Sequence, residues 1–183
     1  MKKLSVVAIM LVGSIAFASS LSIPWYVDNA APGIGLPPTP GTAGALSLIY
    51  LKSTVDHVLT CEIAYYNENG QFLGPVSPNN TFSIQPKAAL GFRPVATDGN
   101  SLIPGGLPAG QEGAAGYAVP NRPRSVDTTT PTPGTTVIDS KKNGSITVQW
   151  TGDATDVQGS QEAYSASAAG AIVSFSHLLP PGK

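Results

Sequence analysis

The chain has 183 residues, of which 42% are hydrophobic and only 11% are charged. This length suits a single domain, and the charged fraction is well below the quarter or so that is usual in soluble domains. The formal net charge is −1, and it becomes −3 if a leader carrying Lys2 and Lys3 is removed. That balance offers no basic surface for nucleic acid, so we predict no nucleic-acid partner.

Residues 1 to 18 have the pattern of a signal peptide. A basic Met-Lys-Lys start precedes an apolar run from Leu4 to Phe17, and the Ala-Phe-Ala sequence at 16 to 18 fits the small-x-small cleavage rule. The apolar run is short for a membrane span, and none is predicted in the mature chain. We therefore expect a secreted or cell-surface protein, of bacterial type, that is cleaved near Ala18-Ser19.

The mature chain begins with a short aromatic segment of β type. The residues that we assign to assembly lie there: Ile23, Trp25, Tyr26 and Val27. Residues 30 to 44 follow, and their four prolines and four glycines are incompatible with a helix or a central strand. Residues 19 to 44 are thus predicted to be a β-segment on an extended, partly stiff tether, joined to a body that spans residues 45 to 183.

The body begins with a strand at Ala45 to Lys52. Leu46 and Leu48 lie on one of its faces and Ile49 and Leu51 on the other, which predicts an interior strand or one covered by another element.

The stretch from His57 to Phe92 carries the clearest β pattern in the chain. Apolar residues alternate from Leu59 to Tyr66, and the Asn-Glu-Asn-Gly sequence at 67 to 70 then tolerates the positive φ angles of a hairpin turn. Two further runs, Thr81 to Ile84 and Ala88 to Phe92, follow short breaks. We predict a hairpin and two more strands.

The last ninety residues alternate less regularly. Residues 95 to 143 show no periodic run and are predicted to be a long, irregular surface excursion. Gly144 to Thr151 reads as an amphipathic strand. Ser160 to Ala168, rich in Ala, Ser and Gln, is predicted to hold a short helix, and Ala171 to Leu179 a final strand.

Together these segments predict an all-β fold. We expect an antiparallel β-sandwich of about seven or eight short strands, jelly-roll or immunoglobulin-like, with long Gly/Pro-rich loops. An open Greek-key barrel is the alternative. The predicted core consists of the inward residues of the strands: Leu59, Cys61, Ile63, Tyr65, Phe82, Ile84, Phe92, Ile146, Val148 and Trp150.

The sequence offers little for catalysis. It has no nucleophile elbow, P-loop or dinucleotide fingerprint, and its two histidines, His57 and His177, lie far apart. Cys61, the single cysteine, falls on an apolar strand face and is read as a small core residue. Glu62 lies on the polar face of the same strand, where a glycosidase carboxylate is possible, but no second carboxylate is fixed beside it. We predict a non-enzymatic protein.

No metal or cofactor is predicted. The acidic loops at 98 to 100 and 153 to 156 match Asx turns better than a spaced calcium loop. Asn79 and Asn143 begin glycosylation sequons, and the bacterial type of the leader argues against their modification.

Two functions fit this layout. The first is a structural subunit of an extracellular filament, surface layer or matrix, because a tethered strand can complete the sheet of an identical neighbour. In general design the layout resembles donor-strand-exchanging pilins and matrix-fibre proteins. The alternative is a secreted binding module, for a glycan or a cell-surface partner, that acts through its long loops.

Overall fold

A computed structural model describes residues 19–29, 44–94, 111–112, 119–123, 143–166 and 172–181. This part of the chain is all-β, contains no helix and forms two antiparallel sheets. Its strands, in chain order, are β1 (Ser19–Val27), β2 (Gly44–Ser53), β3 (Leu59–Asn67), β4 (Phe72–Gly74), β5 (Thr81–Ile84), β6 (Ala89–Phe92), β7 (Gln111–Glu112), β8 (Asn143–Trp150), β9 (Val157–Ala166) and β10 (Ile172–Leu178).

The first sheet, sheet I, has β8 and β3 at its centre. β1 pairs with the outer side of β8, and β4 and β5 share the outer side of β3. In both central strands buried residues alternate with residues that are half-buried or exposed, because one face packs inward and the other is turned to the surface. The register sets Cys61 opposite Trp150 and Ile63 opposite Val148 on the inward face.

The second sheet, sheet II, has the order β10-β9-β2-β6-β7. β2 lies in its interior, as its two apolar faces predict. Ile49 and Leu51 join the main core, whereas Leu46 and Leu48 are buried on the opposite face.

The two sheets share one hydrophobic core. All ten residues assigned to it from the sequence are buried in a single cluster. Leu21, Ile23 and Tyr26 of β1 belong to the same cluster, together with Ile49 and Leu51 of β2. A core formed between two antiparallel sheets is the arrangement of a sandwich-like fold.

The hairpin predicted after β3 is confirmed. The Gly70 backbone N–H donates to the Asn67 carbonyl oxygen at 2.9 Å, and the Asn67 side-chain oxygen accepts from the N–H groups of Asn69 and Gln71. Gly70 has a φ of +76°, a value that a side chain would disfavour. The chain reverses here because turn residues stand where the turn geometry needs them.

The short helix predicted at Ser160 to Ala168 is wrong. These residues belong largely to β9, a ten-residue strand that pairs with β2 on one side and β10 on the other. Two ladders of backbone hydrogen bonds outweigh the weak helix preference of an Ala- and Gln-rich stretch.

The excursion predicted at 95 to 143 is also not wholly on the surface. Most of it lies outside the described residues, but Val119 is buried in the main core and Arg122 is completely buried. The Tyr65 hydroxyl donates to the Pro120 carbonyl oxygen at 2.8 Å. Residues 119 to 123 are therefore part of the packed body, because Val119 fills apolar space and Arg122 meets a buried carboxylate.

Candidate functional site

The residues first considered for catalysis lie apart in the fold. His57 is exposed in the turn before β3 of sheet I, and His177 is exposed on β10 of sheet II. The Glu62 carboxylate accepts a hydrogen bond from the Asn80 amide at 3.0 Å on the outer face of sheet I. Within the described ranges, no three His, Cys, Asp or Glu side chains come together as metal ligands.

Of the two acidic loops, residues 98 to 100 lie outside the described part of the chain. At the other, the Asp156 carboxylate accepts a hydrogen bond from the Asp153 backbone N–H at 2.8 Å. This contact closes a local turn, in which the carboxylate is used for chain reversal.

Cys61 is fully buried between the sheets, and burial raises the pKa of its thiol to about 12. Since the thiolate is the reactive form, the thiol is inert at neutral pH in the folded protein.

A thiol reagent at pH 8 should therefore modify native Cys61 about a thousandfold more slowly than the cysteine of the unfolded chain, whose pKa is near 8.5. The rate can be followed with a chromogenic disulfide in buffer and in urea. Ser22→Cys, at an exposed position on β1, provides the matched control and should react at once. Fast native labelling of Cys61 would contradict the burial argument.

β1 is held by its ladder with β8 and by side-chain contacts near its end. The residues assigned to assembly fall into two groups: Ile23 and Tyr26 are fully buried, whereas Trp25 is 51% exposed and Val27 is half-buried. β1 pairs with β8 of its own chain from Ser19 to Val27. The assembly residues are thus divided between an inward face and a surface-facing bulge.

The outer edge of β1 is protected against further pairing. Its register with β8 shifts between Ile23 and Tyr26, where Pro24 and Trp25 form a bulge. The Trp25 carbonyl oxygen accepts from the Gln161 amide, and the Val27 backbone N–H donates to the Ser47 hydroxyl at 3.1 Å. A proline, a bulge and side-chain caps are devices that keep an edge strand from recruiting a neighbour.

A buried ion cluster fixes the end of β1. Asp28 forms an antiparallel bridge with Leu46 of β2, so the chain passes from sheet I to sheet II at this residue. One Asp28 oxygen accepts from Arg93 Nε at 2.6 Å and also contacts Arg93 Nη2, while the other lies 3.6 Å from Arg122 Nη2. All three residues are at least 94% buried.

An aromatic layer covers this cluster. The Arg122 guanidinium lies 5.8 Å from the centroid of the Tyr26 ring, a cation–π distance. The Tyr26 and Tyr65 rings meet edge to face at 6.3 Å, and burial raises the pKa of Tyr65 well above its usual range. Tyr26 therefore connects β1 both to the ion cluster and to β3.

Sequence reasoning missed this cluster. Asp28, Arg93 and Arg122 lie in segments of weak periodicity: Arg93 just precedes the irregular stretch at 95 to 143, and Arg122 lies inside it. The available signal was the scarcity of charge: in a chain with so few ionisable residues, each one that flanks an apolar segment is a candidate for a buried role.

The edge strand of sheet II, β10, differs sharply from β1, the edge strand of sheet I. Val173, Phe175 and Leu178 are 68%, 63% and 82% exposed, and β10 is the terminal strand of sheet II. Its register with β9 runs from Ile172 to Leu178 without a shift. β10 is thus a regular edge strand with apolar side chains in solvent.

No helix in the described residues has the length and apolar character needed to cross a membrane. No protein-family model, curated protein sequence or solved structure matches this chain.

Proposed function

We propose that this protein is a secreted, non-enzymatic structural subunit of an extracellular filament, surface layer or matrix, and that β1 of one subunit occupies the β1 position of the next. The observation that carries the proposal is the construction of β1 as a separable strand. It inserts Leu21, Ile23 and Tyr26 into the core and ends on a buried ion cluster, yet a Pro/Gly-rich stretch alone joins it to the body.

The position that β1 fills is shaped for it. A Cβ atom added to Gly159 of β9 would lie 2.4 Å from Leu21 Cδ2, so the glycine leaves room for that side chain. Asp28 supplies the carboxylate for Arg93 and Arg122. Without β1, the body would expose an apolar cleft and lose an anion between two buried guanidinium groups, which favours occupation of the position by some copy of the strand.

The connection is long enough for exchange. Residues 30 to 43 separate the anchored end of β1, which includes Asp28, from β2, and a chain of that length spans about 45 Å when extended. A domain of this size has a radius of gyration of about 15 Å, so β1 can reach a touching neighbour. Because the exchanged strand makes the same contacts in trans as in cis, exchange costs little at equilibrium.

Such exchange propagates. The donor strand and the acceptor cleft are different surfaces of one subunit. A growing chain of subunits therefore keeps a free donor strand at one end and a free acceptor cleft at the other. Extracellular use agrees with the predicted signal peptide. The finer assignment of the two-sheet fold to a jelly-roll or immunoglobulin-like β-sandwich stays a prediction.

A reversible lock tests strand exchange. Ser22 and Thr147 are opposite residues on β1 and β8, so the double variant Ser22→Cys/Thr147→Cys can be joined by a disulfide. Oxidised as a monomer, it should form no fibres under negative-stain electron microscopy, and reductant should restore them. Oxidised after assembly, it should give a covalent ladder on non-reducing gels.

The reduced double variant is the internal control. Fibres that yield only monomers after oxidation would show that β1 stays in its own subunit, and strand exchange would then be abandoned. A wild-type protein that remains monomeric at high concentration would have the same consequence.

The second candidate is a secreted binding module for a glycan or a cell-surface partner. One observation favours it: the Tyr66 and Phe72 rings lie 5.7 Å apart on sheet I, and Phe72 is 49% exposed, which suits stacking against a sugar. The loops through which we expected such a module to act, residues 95 to 143, lie mostly outside the described residues. Binding on a glycan array that Phe72→Ala abolishes would support this function.

A further inference from the structure

β10 lacks the protection that the other edges of the described fold possess. β1 carries a proline and a bulge, and the remaining edge strands, β4, β5 and β7, have four residues or fewer. β10 has seven residues, none of them Asp, Glu, Lys, Arg or Pro, and an unbroken register. A long, regular, uncharged edge with apolar side chains is the kind that accepts another strand.

The hydrogen-bond phase of β10 defines which groups are available. The Leu179 backbone N–H donates to the Gly159 carbonyl oxygen at 2.9 Å, so odd-numbered residues of this strand point their backbone groups toward β9. The N–H and C=O groups of Ser174, Ser176 and Leu178 then point away from the sheet. These outward groups form the edge that a partner strand would meet.

We propose that β10 pairs with β10 of a second copy of this chain, antiparallel, about a two-fold axis at Phe175. Overlap of the whole strand, residues 172 to 178, places its central residue opposite itself. Ser174 of one copy then faces Ser176 of the other, both with outward backbone groups. Full overlap is therefore in phase with hydrogen bonding and forms about eight backbone hydrogen bonds.

The side chains suit this pairing with an identical strand. Phe175 faces Phe175 at a non-hydrogen-bonded position, where side chains approach most closely, and aromatic pairs stabilise such positions. Val173 faces His177 of the second copy, beside a Phe175 ring that already stacks with the His177 ring of its own strand at 6.5 Å. No like charges oppose each other, because β10 has no acidic or basic residue apart from His177.

The pairing is weak by itself. The exposed parts of Val173, Phe175 and Leu178 with the strand edge offer roughly 400 Å² per partner, about half of what a standard stable interface buries. We therefore expect dimers at high micromolar concentration. This interface does not rest on strand exchange: β1 exchange gives open chains, whereas β10 pairing is isologous and closes at two copies.

Cysteine cross-linking of the purified protein tests the register. Phe175→Cys should form a disulfide-linked dimer on mild oxidation, because the register brings residue 175 of each copy within bonding distance. Val173→Cys is the matched control, because Val173 is about as exposed as Phe175 and lies on the same face. It faces His177 of the second copy, so it should cross-link at least about tenfold more slowly than Phe175→Cys. Wild type, whose Cys61 is buried, should not cross-link.

A second variant leaves Phe175 in place. Ser176→Pro removes an outward N–H and leaves the β9 ladder intact, so it should abolish the concentration-dependent dimer in sedimentation while retaining the native circular dichroism spectrum. Equal cross-linking of Phe175→Cys and Val173→Cys, cross-linking of neither, or a Ser176→Pro protein that still dimerises like wild type would each overturn the proposal.

Discussion

Replacing Asp28 by asparagine is expected to lower the free energy of unfolding by about 3 to 5 kcal/mol, the usual cost of removing one partner from a buried ion pair. The variant keeps the size of the side chain but takes the negative charge from between Arg93 and Arg122, which are 2% and 0% exposed. Equilibrium unfolding in urea, followed by tryptophan fluorescence, measures the loss.

The matched control is Asp56→Asn. Asp56 also pairs with a cation, Lys87 at 3.3 Å, but its side chain is 88% exposed. Solvent screens that pair, so its loss should cost no more than about 1 kcal/mol. If the two variants lose the same stability, the buried cluster does not anchor β1 in the way that its geometry indicates.

Asp28→Asn should also loosen β1 itself. Because Asp28 is the residue at which the chain passes to sheet II, we expect chymotrypsin to cleave the variant near Trp25 and Tyr26 before wild type is cut. For strand exchange, the same contact is the barrier: a firmly anchored cis strand slows the conversion of monomer to polymer.

Replacing Gly144 by alanine is expected to cost about 3 kcal/mol, at the upper end for forcing atoms into a packed core. A Cβ atom at this residue would lie 1.9 Å from the Tyr66 backbone oxygen and 3.0 Å from the Tyr26 hydroxyl. Gly144 stands on β8 between β1 and β3, opposite Tyr26 and Asn67. The methyl group can be accommodated only if these strands separate, which breaks ladder hydrogen bonds.

Gly70→Asn is the control for that substitution. Nothing lies within 4 Å of a Cβ atom at Gly70, and asparagine tolerates its positive φ. Its midpoint in urea should stay close to that of wild type, whereas that of Gly144→Ala should fall markedly with an unchanged slope. A wild-type midpoint for Gly144→Ala would mean that β8 can shift without loss of pairing.

The two long edges of this fold have opposite chemistry, and that contrast organises the functional proposals. β1 is capped, bulged and anchored, so its edge cannot simply accept another strand. In the proposed assembly β1 leaves its own subunit, and β1 of a neighbouring subunit takes its place. β10 is regular and uncharged, so it offers an edge that a second copy can extend. One edge is suited to exchange and the other to addition.

The strand segments themselves are determined by the sequence. The period of two in β3 and β8 and the turn residues at 67 to 70 act between near neighbours, so local chemistry suffices to predict these elements. Seven of the ten predicted core residues lie on β3 and β8. Trp150, which the sequence assigns to the core, is fully buried.

Only the tertiary structure shows which strands pair with each other and which contacts the charged residues make. β9 is a strand because β2 and β10 pair with it on both sides, against the preference of its own composition. Asp28 meets Arg93 across 65 positions of the chain, and Gly144 is required because Tyr66 approaches it from another strand. Such requirements arise only between segments distant in sequence, so no local periodicity records them.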